Sequence, residues 1–140
     1  MKDLPTRSTA AAAWIRVMRI HQSLDRRSEE NFRELGLNSA WFDVLARVGA
    51  REGQTQIELA ESLLVTKGNI SQLIVKLEAA GLIERRAEGR AQHLYLTPAG
   101  RALRNQALPR QEAMLAESLS GLSAEEQKEL LRLLRKWENA

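Results

Sequence analysis

The chain has 140 residues, 44% hydrophobic and 28% charged, the composition of one globular domain rather than of a disordered segment. Twenty-one Lys and Arg against eighteen Asp and Glu leave a net charge of +3, and cysteine is absent, which excludes disulfides, thiolate catalysis, cysteine zinc sites and thiol redox sensing together. No apolar run reaches the ~18 residues of a membrane span, and Ala10 to Ile15 is too short a stretch, ended by Arg16, for a signal peptide. A cytoplasmic chain without a membrane partner is expected.

From the N-terminus, Ser8 is a good helix cap, and Gly36 stands where a helix favours a left-handed residue. Between them Ala11, Trp14, Ile15, Met18, His21, Leu24, Phe32 and Leu35 recur at three- and four-residue steps. Roughly twenty-eight helical residues would span about 42 Å, whereas a compact chain of this size has a radius of gyration near ~14 Å. The stripe therefore asks for a second copy, and a homodimer is expected. Asn38 or Ser39 caps a second helix, Ala40 to Ala50, with Trp41, Val44, Leu45 and Val48 inward. Thr55 and Glu58 form a capping box that opens a third helix, whose apolar members are Ile57, Leu59, Ala60 and Leu63. Thr66 caps a fourth, with Ile70, Leu73, Ile74 and Leu77 inward and Gly81 closing it.

The hydrophobic period then drops to two. Leu82–Arg86 and His93–Thr97 read as strands around the loop Ala87–Gln92. Thr97-Pro98 starts another helix, with Pro109 inside it predicting a kink or a break. A last helix opens on the box Ser123 and Glu126, with Leu130, Leu131, Leu133, Leu134 and Trp137 as its stripe.

Two short helices, a tight turn and a hairpin describe a winged helix-turn-helix. Leu37-Asn38-Ser39-Ala40-Trp41-Phe42-Asp43-Val44-Leu45, the run from Ile57-Glu58-Leu59-Ala60 through Val65 to Arg85, and Leu94-Tyr95-Leu96-Thr97-Pro98-Ala99-Gly100 together resemble MarR-type transcriptional regulators in order and spacing. The expected class is mainly α with a small β-hairpin wing. Residues 1–35 and 98–140 would form a helical dimerisation lobe around a DNA-binding lobe at 36–97. Two departures stand out. Glu88-Gly89-Arg90 replaces the family's Asp-x-Arg about three residues nearer the first strand, which shortens the reach of the wing; Leu64 occupies a turn position that often holds Gly.

Double-stranded DNA is the expected partner. The early face of the fourth helix offers Thr66, Lys67, Asn69, Ser71 and Gln72, amides and hydroxyls suited to base edges, with Lys76 one turn on for a phosphate. The resemblance places base reading on Asn69, Ser71 and Gln72. Thr55 and Gln56 begin the helix that would cross the backbone, where N-terminal amides attract phosphate, or serve only as its cap. Along the hairpin, alternation sends Arg85 and Arg86 to opposite faces, and Arg86 and the tip residue Arg90 are the wing contacts. The charge balance is even, five basic against five acidic groups over residues 55–97, which keeps open a winged-helix protein-interaction module as the alternative.

The resemblance also implies a small aromatic or anionic effector beside Trp14, Met18, His21, Trp41 and Leu45, although an aromatic stripe at helical spacing is core more often than pocket. His21 and His93 lie 72 positions apart without cysteine partners, so neither a metal nor another cofactor is expected. No nucleophile motif, phosphate-cradling loop or paired carboxylates indicate an enzyme.

Overall fold

The computed structural model describes residues 8–63 and 70–140. Helix α1 (Thr9–Arg33) begins where Ser8 accepts the Ala11 amide at 3.0 Å. It ends at Gly36, whose φ of 73° turns the chain so that the Leu37 amide donates back to the Phe32 carbonyl at 2.8 Å. Asn38 then caps α2 (Ser39–Ala50) through the Trp41 amide. The capping box at Thr55 and Glu58 opens α3 (Gln56–Ser62), and α4 (Ile70–Ala79) leads to Gly81, with φ of 76°.

The hairpin is tighter than its sequence suggests. Strands β1 (Ile83–Glu88) and β2 (Ala91–Leu96) pair antiparallel from Ile83 opposite Leu96 to Glu88 opposite Ala91, so only Gly89 and Arg90 form the turn. Gly89 has φ of 68° while Arg90 does not enter the left-handed region, the pattern of a two-residue turn that matches strand twist. The expected six-residue loop is thus mostly paired strand. His93 lies within β2, its Nδ1–H donating to the Gly53 carbonyl at 2.6 Å. The link before α3 adds a short third rung, with Gly53 donating to Leu94 and Leu94 to Gln54.

Apolar periodicity places one core among α2, α3, α4 and the hairpin. Val44, Leu45, Val48, Leu59, Ile74, Leu77 and Leu94 are wholly buried there. Phe32 of α1 joins it by stacking on Phe42, with ring centroids 4.5 Å apart. Ile57, although an apolar member of α3, does not face the core. It is 74% exposed, because the seven-residue α3 directs Leu59, not its second residue, into the core.

Helix α5 (Pro98–Ser118) starts on the Thr97 cap and runs unbroken through Pro109. The missing N–H at Pro109 frees the Asn105 carbonyl, but both residues are exposed, so water can satisfy that acceptor and the helix need not split. Helix α6 (Ala124–Glu138) follows its own capping box and buries none of its residues. None of the described helices is long and apolar enough to cross a membrane.

Candidate nucleic-acid interface

Helix α4 divides sharply by burial. Leu73, Ile74 and Leu77 are committed to the core, whereas Ser71, Gln72, Val75, Lys76 and Ala79 are all exposed along the opposite face. The expected contacts Thr66, Lys67 and Asn69 lie outside the described residues, as does the turn position Leu64. Val75, central on the exposed face, was not among the expected contacts. Its spacing of four from Ser71 is the signal that points to it.

Gln56, at the start of α3, donates through Nε2 to the Ser71 hydroxyl at 2.9 Å. Two residues expected to meet DNA independently are therefore joined. Thr55 is also engaged. Its hydroxyl accepts the Glu58 amide, and its own amide donates to the Glu58 carboxylate at 3.1 Å. Those hydrogen bonds from Thr55, with Arg51 alongside at 2.6 Å, hold the Glu58 carboxyl below the usual carboxylate range.

A lowered native pKa contributes stability that is complete above the ordinary glutamate value of about 4.3 and is lost as pH falls through the native value. Glu58→Gln is therefore expected to flatten the acid limb of stability against pH. Urea midpoints taken from neutral pH down through the glutamate range would show this; parallel acid limbs in the two proteins would contradict it.

The hairpin arginines are bound to carboxylates of their own chain. Arg85 reaches across to α4, its guanidinium donating to Glu78 at 2.8 Å, and this bond raises the arginine pKa and lowers that of Glu78. Arg86, on the other face, donates to Glu84 at 2.6 Å and lies 4.1 Å over the Tyr95 ring. The Tyr95 hydroxyl donates in turn to Glu88 at 2.9 Å, which raises the phenol pKa. Arg90 at the tip and Lys76 on α4 are exposed, with no carboxylate of the described residues within ion-pair reach.

The five expected effector residues are not gathered into one crevice. His21 lines a groove of about 840 Å³ with Leu24, Leu115, Leu119 and Leu130. Trp14 lines a shallow groove with Trp137, which borders the first one at Val17 and Leu134. Met18 is half-buried on α1, Trp41 is half-buried against the core, and Leu45 is wholly buried in it, with no surface to offer a ligand.

Residues 35–92 match the sequence model of the MarR family. An HTH-type transcriptional regulator of Bacillus cereus is 36% identical over 124 residues, covering 88% of this chain and 84% of that protein. Among solved structures, a MarR-family transcriptional regulator from Silicibacter pomeroyi superposes with a TM-score of 0.81 at 26% identity, over 97% of this chain and 94% of that one. A cysteine-to-serine mutant of MarR from Escherichia coli, complexed with operator DNA, gives 0.79 at 25% identity, over 94% of this chain and 98% of that one.

Proposed function

The chain belongs to the MarR family of winged helix-turn-helix transcriptional regulators, and from that premise we propose that it works as a homodimeric repressor reading a pseudo-palindromic operator. The observation that carries the reading is α4 itself, whose apolar side is wholly committed to the core while Ser71, Gln72 and Lys76 stand exposed. The complex of the E. coli relative with operator DNA supports the same use of the fold. Dimerisation is supported by α6, where Leu130, Leu131, Leu133, Leu134 and Trp137 remain exposed, as do Trp14 and Ile20 on α1.

The proposed division is a DNA-reading lobe at 36–97 between dimerisation segments at 1–35 and 98–140. Paired recognition helices would enter successive major grooves about 34 Å apart. A small aromatic or anionic effector that prefers another spacing of the two heads would release DNA by linkage. The groove around His21, with Arg16 and Arg19 beside leucines, has matching chemistry.

The test is titration of labelled DNA from upstream of the protein's own gene, with excess unrelated competitor, at several salt concentrations. Arg85 and Arg86 are already ion-paired within the chain, so Lys76 and Arg90, with Lys67 as the sequence suggests, are taken as the phosphate ligands. Three contacts per protomer predict a log–log salt slope of about −5 for the dimer. Arg90→Ala should make that slope shallower by about 2 and weaken all sequences alike. Binding that vanishes with competitor would mean a general DNA binder. No binding at low salt would favour the protein-interaction module.

A further inference from the structure

Valine is a poor helix former, and on an exposed helix face it gains no packing to offset that cost. Val75 is 50% exposed in the middle of α4. At about 100° per residue, Val75 projects between Ser71 and Gln72 and one turn further along the helix, with Lys76 beyond Gln72. The inward side chains Leu73, Ile74 and Leu77 leave it no place in the core. It is therefore an apolar branch set among Ser71, Gln72 and Lys76, side chains that can hydrogen-bond.

The thymine C5-methyl is the apolar group that a major groove presents among its donors and acceptors, and apolar side chains read it by contact. We propose that Val75 is a specificity-determining residue that packs against a thymine methyl in each half-site, beside the bases met by Ser71 and Gln72. The Gln56–Ser71 hydrogen bond fixes α3 against the first turn of α4, which holds the valine at a set depth relative to the backbone-crossing helix. The inference rests on α4 being the DNA-reading helix.

The experiment first selects an operator with the wild-type homodimer from a pool of random duplexes. Each thymine of the selected half-site is then replaced, symmetrically, by deoxyuridine, which removes the C5-methyl and leaves the pairing edge intact. Wild type and Val75→Ala are titrated against every duplex.

One thymine position should weaken wild-type binding about fourfold per half-site, the equivalent of about 0.8 kcal/mol for one buried methylene, or about fifteenfold for the symmetric change. Val75→Ala should bind thymine and deoxyuridine duplexes equally at that position. Equal discrimination by both proteins, or none by wild type at any thymine, would overturn the role of Val75 while leaving the regulator reading intact. Failure of wild type to enrich any sequence would overturn the regulator reading itself, and the valine assignment with it.

Discussion

Replacing Gly100 with alanine is expected to destabilise the protein by about 3 kcal/mol, at the upper end for forced overpacking. Gly100 is the third residue of α5, and its amide donates to the Thr97 cap at 3.0 Å. A Cβ there would collide with the Leu82 carbonyl oxygen. That oxygen cannot withdraw, because it accepts the Thr97 amide at 3.1 Å while the Thr97 hydroxyl donates to the Gly81 carbonyl at 2.6 Å. Alanine must therefore push the start of α5 off the strand junction, breaking either the cap or the contact that seats the helix on the reading head. Gly121→Ala is the control. A Cβ at Gly121 meets nothing within 4 Å, so that change should be neutral or stabilise by about 0.5 kcal/mol. Urea unfolding at one fixed protein concentration would compare them, since dimerisation would otherwise shift the midpoint. Coincident midpoints for wild type and Gly100→Ala would contradict the close packing.

The second large effect concerns assembly. Leu134 lies on the stripe of α6 between Leu130 and Trp137, 41% exposed, and lines a shallow groove with Trp14 and Val17 of α1. Burying a leucine fully is worth about 1.5–3 kcal/mol, and aspartate at the centre of an apolar interface adds an unpaired buried charge. Leu134→Asp is expected to convert the proposed dimer to monomer. Loss of the second reading head should lower operator affinity about a hundredfold or more, since linked sites gain that much from effective concentration. Light scattering would give the oligomeric state, circular dichroism would establish that helix content is retained, and DNA titration would give the affinity. Leu131→Asp, at the edge of the stripe and 48% exposed, provides a second variant less coupled to α1. Both variants remaining dimeric would show that α6 is not the assembly surface.

The reading head and the first turns of α5 are joined by charged contacts as well as by backbone. Glu52 accepts the Leu96 amide at 2.9 Å and receives Arg101 on both carboxylate oxygens at 3.0 Å. Burial opposes its ionisation, but those hydrogen bonds outweigh that cost and hold its pKa below the usual range. Arg104 likewise donates to the Ala46 carbonyl at 3.3 Å. The wing root, the exit of α2 and the start of α5 therefore share partners.

Local chemistry made most of the secondary structure legible in the sequence. Ser8, Asn38, Thr55, Thr97 and Ser123 all cap helices through amides only three residues away, and Gly36, Gly81 and Gly89 take the positive φ their turns demand. Such interactions span one turn of chain, and spacing records them. The departures share the opposite property. Whether Pro109 breaks its helix depended on solvent reaching the Asn105 carbonyl, and Ile57 faced outward because a short helix had already directed Leu59 into the core.

At the candidate interface, residue type identified Gln56, Ser71, Gln72, Lys76 and Arg90 without assigning their partners. Arg85 is held by Glu78 on another element, and Arg86 is covered by Tyr95 from the opposing strand. Gln56 is committed to a hydroxyl fifteen residues away. The sequence by itself determined where the helices start and most of their apolar sides, because those depend on neighbours within a turn. Only the tertiary structure decided that Arg85 and Arg86 carry carboxylate partners, why residue 100 has no room for a Cβ and why Leu45 has no surface to offer. Those outcomes depend on groups that folding brings together across long separations in the chain.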